Sequence, residues 1–320
     1  MTALEHTSEP LSLRLEAIRF AAKGTLCFEF VRTDGAELPP AQAGAHIGVH
    51  LPNGMVRQYS LLHAGTGLHS YQVGVKRDAN SRGGSRYMHE ELRVGTVLPV
   101  DPPRNNFPLA ENAVNSLFFA GGIGITPMVA MLERLHEVGR PGSLYYACRT
   151  RDELAFLPDL TRTCQPQIHI DAEQGGRVFD LAAVISRSSK ETHLYCCGPG
   201  PMLAAFETAT ADRPSECVHV EYFTPRDPPA VSGGFEVVLA RSGRELHIPA
   251  GKSILQVLRD AGVPAPSSCE QGVCAACETR VIEGIPEHRD SILSAAERAS
   301  NRTMMICVSG SRTGRLVLDL

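Results

Sequence analysis

Cys269-Glu-Gln-Gly-Val-Cys274-Ala-Ala-Cys277 lies near the C-terminus of the chain, and a fourth cysteine, Cys307, follows well downstream. The spacing C-x4-C-x2-C with a distant fourth cysteine is the plant-type [2Fe-2S] arrangement, in which four thiolates hold two irons bridged by sulfides. Three close ligands and one remote ligand suit a tight loop that wraps a cluster, with the last thiolate on a separate strand. The competing readings are a zinc site and a disulfide pair. Zinc favours two short cysteine pairs, and here only Cys274 and Cys277 form one. A disulfide framework belongs to small secreted domains, whereas this chain has 320 residues. A protein with such a cluster moves single electrons, so the rest of the sequence must supply them.

The length suggests two or three domains, and 43% apolar residues suffice for ordinary cores. No apolar run approaches the roughly 18 residues needed to cross a membrane. Met1 to Pro10 carries acids where a signal peptide carries bases, with no apolar stretch behind it. A soluble, cytoplasmic monomer is therefore expected. A net charge of −4, from 31 basic and 35 acidic residues, excludes the basic surplus of a nucleic-acid binder. Of the ten cysteines, Cys27, Cys148, Cys164, Cys196, Cys197 and Cys217 form no second ligand set and read as small buried hydrophobes.

Residues 1 to 110 read as an antiparallel barrel of short strands: Leu11 to Leu15, Thr25 to Val31, Ala45 to Leu51, Val56 to Leu61, Tyr71 to Lys76 and Val97 to Val100. Asn53-Gly54 reads as a hairpin turn, and Ser85 to Leu92 as a short helix. Arg57-Gln-Tyr59-Ser60 has the Arg-x-Tyr-Ser pattern of flavin-binding barrels. There an aromatic ring lies along the isoalloxazine, Ser contacts its reactive edge and Arg supplies positive charge. Arg82-Gly83-Gly84-Ser85 opens the helix, and glycines, free N–H groups and an arginine together make a phosphate cradle. Alone, each motif is more often a chance strand tetrapeptide or a plain loop; their order and separation raise the flavin reading considerably. Lys76 reads as exposed, with a polar contact to flavin as its functional alternative.

Residues 111 to 230 change to alternating strand and helix, the pattern of a parallel sheet. Ser116 to Ala120 feeds into Gly121-Gly122-Ile-Gly124-Ile-Thr126-Pro127, with Thr126 suited to the N-cap and Pro127 to the first turn of a helix reaching about Val138. This turn lacks the G-x-G-x-x-G fingerprint. A second strand-to-helix junction, His193 to Cys197 followed by Gly198-Pro199, strengthens it, since ligands bind at the carboxyl ends of parallel strands. Cys148 and Arg149 follow another strand and are expected at the adenosine end of a nicotinamide cofactor. Arg149 and Arg151 are a caution toward NADPH, but no dense basic cluster surrounds them and NADH is favoured.

Thr224 to Gly234 reads as a linker, and residues 231 to 320 as an α+β ferredoxin domain: strands Phe235 to Leu239 and Glu245 to Ile248, a helix Ser253 to Ala261, the cysteine loop, then strands Thr279 to Glu283 and Thr303 to Val308 carrying Cys307.

Taken together, the whole chain resembles the phthalate dioxygenase reductase family, which includes vanillate demethylase reductases. The resemblance rests on Arg57-x-Tyr59-Ser60, Arg82 to Ser85, Pro103-Arg-Asn-Asn-Phe107-Pro108, Gly121 to Met128, Tyr195 to Pro199, Pro266-Ser-Ser-Cys269-Glu and Leu316 to Leu320. It implies FMN rather than FAD, a flavin ring met by Glu221-Tyr-Phe223, Cys197 close to the reacting nicotinamide carbon, and a Rieske-type oxygenase of an aromatic acid as the electron acceptor. Read from the sequence alone, Phe223 is a core aromatic. The expected path is NADH to FMN to [2Fe-2S] to oxygenase, with Ser60, Cys197 and Glu221 as positioning and polarising residues. Rival readings are an FAD reductase serving a diiron monooxygenase and a non-enzymatic electron carrier or redox sensor. One departure is Ala275, where the family usually has Gly; if that position needs φ > 0, Ala is strained there by roughly 1 kcal/mol.

Overall fold

The computed structural model describes residues 9–79 and 82–320. The acidic N-terminal stretch up to Ser8, weighed above against a signal peptide, lies outside the described residues. No helix among them is long and apolar enough to cross a membrane.

Six strands form the barrel: β1 (Leu11–Ala22), β2 (Thr25–Arg32), β3 (His46–His50), β4 (Val56–Ser60), β5 (Ser70–Lys76) and β6 (Val97–Val100), with α1 (Gly84–Glu90) between the last two. Their order is β4-β3-β6-β1-β2-β5. The Leu61–Val73 bridge joins the two edges and closes the sheet on itself. Alternate residues point inward, so Leu13, Leu15, Phe28, Phe30, Ile47, Val49 and Val73 are fully buried. β1 runs well past the expected Leu15. Its register with β2 shifts between Leu15 and Ala17 and again between Phe20 and Ala22, and these irregularities break the alternation that a strand is read from.

The parallel sheet holds β7 (Ser116–Gly121), β8 (Gly142–Cys148), β9 (Gln167–Ile170), β10 (His193–Cys197) and β11 (Val218–Glu221), in the order β11-β10-β7-β8-β9. Helices α2 (Thr126–Glu137), α3 (Leu157–Thr163), α4 (Leu181–Ile185) and α5 (Gly200–Ala209) alternate with its strands. The barrel and this sheet share one core, in which Ala43, Leu62 and Phe107 from the barrel side pack with Met128, Met131, Leu132 and Leu135 of α2. They form one compact unit that ends at Glu221.

A second compact unit begins at Tyr222. Its sheet combines β12 (Phe235–Leu239), β13 (Glu245–Ile248), β14 (Glu278–Glu283), β16 (Thr303–Met305) and β18 (Arg315–Leu318) in the order β13-β12-β18-β14-β16, and β15 (Pro286–Glu287) pairs with β17 (Gly310–Ser311). α6 (Ile254–Asp260) starts with a full capping box between Ser253 and Gln256, and α7 (Ala295–Ser300) with one between Ser294 and Glu297. The residues read as a linker are strapped to this unit instead. Arg226 N donates to Ser291 Oγ at 3.1 Å, Ala230 N to Val308 O at 2.8 Å, and Gly251 N to Val231 O at 2.9 Å. Proline and glycine content hid these bonds, because it reports local stiffness and says nothing of distant acceptors.

Candidate functional site

β4 delivers Arg57, Tyr59 and Ser60. Arg57 is half-buried; its Nη1 donates to Val56 O at 2.9 Å and its Nη2 to Met55 Sδ at 3.1 Å. Its stem crosses the start of α1 so closely that a Cβ on Gly84 would lie 2.5 Å from Arg57 Nε. Gly83 precedes it at φ +110°, left-handed backbone that a side chain would strain. Among the described residues no side chain caps this helix start; Ser85 Oγ accepts from Asp78 N, and Arg82 is exposed beside it. A guanidinium beside a glycine-rich helix start suits a phosphate. Tyr59 packs on the barrel core, and burial pushes its phenol well up. Ser60 is only 4% exposed, and its Oγ has no hydrogen-bond partner. Such an orphan costs about 1–3 kcal/mol, which marks a place where a bound group completes the bonding. The cradle therefore fits a flavin mononucleotide.

At the carboxyl ends of β7 and β10 two turns touch backbone to backbone. A Cβ on Gly124 would lie 2.1 Å from Cys197 O, one on Gly121 2.5 Å from Pro199 Cδ, and one on Gly198 3.1 Å from Gly121 Cα. Gly122, at φ +54°, turns the chain there. Thr126 does not cap the helix as expected. A short 3-10 turn, Gly122–Ile125, leads into α2, Ile125 holds the cap position, and Thr126 is already helical with its Oγ1 donating to Ile123 O at 3.0 Å. Pro127 does stand in the first turn.

Cys197 and Glu221 are register partners on β10 and β11. Burial pushes the Cys197 thiol far up, the neighbouring Glu221 adding to the effect. Glu221 is half-buried as a residue, yet its Oε2 is enclosed and unpartnered, and burial pushes its carboxyl up to about 8. At neutral pH Glu221 therefore keeps its proton and can donate it in a hydrogen bond. Phe223 is 39% exposed, which corrects the core-aromatic reading.

Lys76 is not simply exposed. Its Nζ meets Glu153 Oε2 at 3.0 Å and hangs 4.0 Å from where a Cβ of Gly122 would be. Cys148 is buried, which pushes its thiol up to about 11, and Arg149 is exposed beyond it. Arg151 is held by Glu173 through two bonds of 2.8 and 2.7 Å. Sequence reasoning missed Glu153 and Phe156. Phe156 adopts φ 60° and lays its ring 2.7 Å from where Gly74 would carry a Cβ. The signal was Gly74 itself, an isolated glycine inside a strand, which marks close approach.

In the cysteine loop three residues are left-handed: Glu270 at φ 53°, Gly272 at 69° and Ala275 at 58°. This winding turns N–H groups onto sulfur, Gln271 N donating to Cys269 Sγ at 3.3 Å and Cys269 N to Cys274 Sγ at 3.5 Å. The four buried thiols converge as two pairs. Hydrogen bonding from Cys274 holds the Cys269 thiol below its usual range, while Cys277 and burial push Cys307 far up. Two thiol pairs match the two irons of a [2Fe-2S] cluster. Cys307 follows β16, which ends at Met305, in a turn where Val308 N and Ser309 N donate to Met305 O; it is not on the strand as expected. Gly272 is wedged, a Cβ there lying 2.6 Å from Val308 Cγ2 and 3.0 Å from Asp290 Cα. Asp290, also missed, is fully buried and accepts from Ile292 N and Leu293 N at 3.0 and 2.7 Å. An Asp two and three residues ahead of its donors is the available signal.

Barrel, nucleotide sheet and cysteine loop on one chain define a pyridine-nucleotide-dependent flavin reductase with its own ferredoxin. Residues 237–310 match the family model described as 2Fe-2S iron-sulfur cluster binding domain, and residues 118–208 the oxidoreductase NAD-binding domain. The chain is 47% identical to phenoxybenzoate dioxygenase subunit beta of Ectopseudomonas oleovorans, over 98% of both chains. It is 45% identical to tetrachlorobenzoquinone reductase of Sphingobium chlorophenolicum, over 97% of this chain and 98% of the other. Among solved structures, phthalate dioxygenase reductase superposes with a TM-score of 0.71 at 39% identity, over 97% of this chain and 98% of that one. The chain belongs to the phthalate dioxygenase reductase family. It is accordingly an oxidoreductase working with FMN, NADH and a [2Fe-2S] cluster.

Proposed function

We propose that the protein takes a hydride from NADH onto FMN and passes the electrons singly through the cluster to a Rieske-type oxygenase acting on an aromatic acid or similar small compound. The observation that carries this reading is the presence, on one chain, of a buried unpartnered hydroxyl in a flavin-type strand and four buried cysteines around a loop that turns its N–H groups onto sulfur. Arg57, Arg82, Gly83, Gly84 and Ser85 hold the FMN phosphate; Tyr59, Lys76 and Thr126 border the ring; Ser60 donates to its reactive edge. Gly121, Gly122, Gly124, Gly198 and Pro199 admit the NADH pyrophosphate and Cys148 and Arg149 its adenosine end, while neutral Cys197 fills the space at the nicotinamide carbon and protonated Glu221 donates nearby. Bound FMN supplies a two-electron acceptor that releases electrons one at a time. Capture of Arg151 by Glu173 favours NADH, since that guanidinium is engaged before any 2′-phosphate arrives. Cys269, Cys274, Cys277 and Cys307 ligate the irons. The protein works as a cytoplasmic monomer, in modules of residues 1–110, 111–230 and 231–320.

Cys274→Ser is expected to abolish cytochrome c reduction while sparing ferricyanide reduction by the flavin; equal loss of both overturns the serial order. Release of the flavin by heat, followed by chromatography, separates FMN from FAD. A second reading, a quinone as terminal acceptor, is favoured by the 45% identical relative named tetrachlorobenzoquinone reductase. Rapid NADH-dependent loss of that quinone, with no oxygenase present, would support it.

A further inference from the structure

Asp290 lies between β15 and α7, fully buried and packed against the cysteine loop. A Cβ on Gly272 would lie 3.0 Å from Asp290 Cα and 3.3 Å from Asp290 Cβ, so the absence of a side chain there is what lets the loop close onto this residue. The next residue, Ser291, donates its N–H to Gly272 O at 2.9 Å and fixes the contact. Gly272 stands between Cys269 and Cys274 in the sequence, and its own N–H favours the thiolate form of both Cys269 and Cys307. The backbone of Asp290 therefore touches the segment that joins two of the cluster cysteines.

For a buried charge the carboxylate is poorly compensated. Its Oδ1 accepts from Ile292 N and Leu293 N at 3.0 and 2.7 Å, while its Oδ2 is enclosed and has no hydrogen-bond partner. Two side chains stand nearby. His288 Nδ1 is 3.8 Å from Oδ2 and Arg298 Nη2 is 3.9 Å from Oδ1, both beyond hydrogen-bond length. Arg298 spends its donors on backbone instead, Nε on Leu293 O at 3.0 Å and Nη2 on Asp290 O at 2.5 Å. Burial holds the His288 imidazole down, although Asp290 pulls it up, so it stays neutral at working pH. The turn from Asp290 to Leu293 needs only Oδ1, which an asparagine would supply as well. A second oxygen kept in the interior without a bond is costly, and its retention calls for a role.

We propose that Asp290 sets the reduction potential of the cluster through its buried charge. Net charge around an iron-sulfur centre is one of the levers on its potential. Each electron taken up adds one negative charge, which the Asp290 carboxylate opposes through an interior that screens far less than water. Reduction becomes harder, and the reduced protein becomes the stronger donor to its acceptor. Arg298, at ion-pair range on the other side of the carboxylate, offsets part of this effect.

The inference rests on the reading that Cys269, Cys274, Cys277 and Cys307 ligate the irons. Holoprotein is titrated anaerobically against redox dyes, the cluster is followed by its electron paramagnetic resonance, and iron and sulfide per chain are measured alongside. Asp290→Asn keeps the size and the Oδ1 acceptor and removes the charge. At the wild-type midpoint its ratio of reduced to oxidised cluster is expected to rise about tenfold, an upward shift of about 59 mV for one electron. Arg298→Gln is expected to move the midpoint the opposite way. Opposite signs mark an effect of charge, since loosened packing around the loop gives no reason for the two variants to diverge. An Asp290→Asn midpoint at or below wild type, with the cluster fully loaded, overturns the proposal. Should Asp290→Asn lose its iron, Arg298→Gln decides, and a midpoint there that stays or rises overturns the proposal equally. Wild-type protein whose iron and sulfide fall short of a [2Fe-2S] cluster overturns the ligand reading itself, an outcome distinct from a full cluster with silent variants.

Discussion

Ala275 holds a φ of 58° between two cluster cysteines. For an alanine that conformation costs roughly 1–2 kcal/mol, part of which glycine would return through its looser unfolded chain. Ala275→Gly is expected to raise stability by up to about 1 kcal/mol, and Ala275→Val, whose branch crowds the left-handed region, to lower it by more than 1 kcal/mol, both read from urea midpoints of the cluster-loaded protein. The sequence flagged the position by its departure from the family pattern; the sign of φ came only from the folded loop. Glu221 gives a pH test. Its carboxyl titrates near 4.3 when unfolded and at about 8 when folded, so the folded state holds the proton more tightly. Stability from this group is therefore full below about 4.3, declines as pH rises, and levels off above about 8. Glu221→Gln is expected to gain on wild type in melting temperature across that window; a gap that stays constant with pH would argue against a neutral buried carboxyl.

At the scale of elements, α1 and β4 meet through Gly84 and Arg57. Gly84→Ala would push the Arg57 stem by the clash at 2.5 Å and is expected to weaken FMN retention severalfold, as is Arg57→Ala, both measured as flavin released on dilution. Unchanged flavin content in both variants would refute the cradle. Much of this level was legible: β6, β10, β12 and β13 fall where alternation and turn residues put them, because each is bounded by Gly, Pro or Asn and carries its own apolar pattern. β18 was not, since Arg315–Leu318 is four residues long and its parallel pairing with β12 joins segments far apart in sequence. The same reason hid Glu153, a turn residue whose partner Lys76 lies on a barrel strand far away in sequence. Candidate residues were legible where one strand carried several of them, as β4 does, and illegible where the contact comes from a distant segment, as for Phe156 against Gly74.

For the whole molecule, two compact units divide the work, the larger for nucleotide and flavin and the smaller for the cluster. From Gly233 to Leu320 the smaller unit has ten acidic and ten basic residues. With no net charge to steer it, docking to an oxygenase is expected to lose little speed between low and physiological salt; a steep fall of electron-transfer rate with ionic strength would show a concentrated patch that the count conceals. The strap of Arg226, Ala230 and Val231 sets where one unit can be parted from the other. Two of its three bonds end on Ser291 and Val308, the first donating its own N–H to Gly272 O of the cysteine loop and the second following Cys307. A gene that borrowed this ferredoxin by cutting at the Gly233-Gly234 pair would leave behind the lashing around its cluster, so the inheritable cassette begins upstream of Arg226.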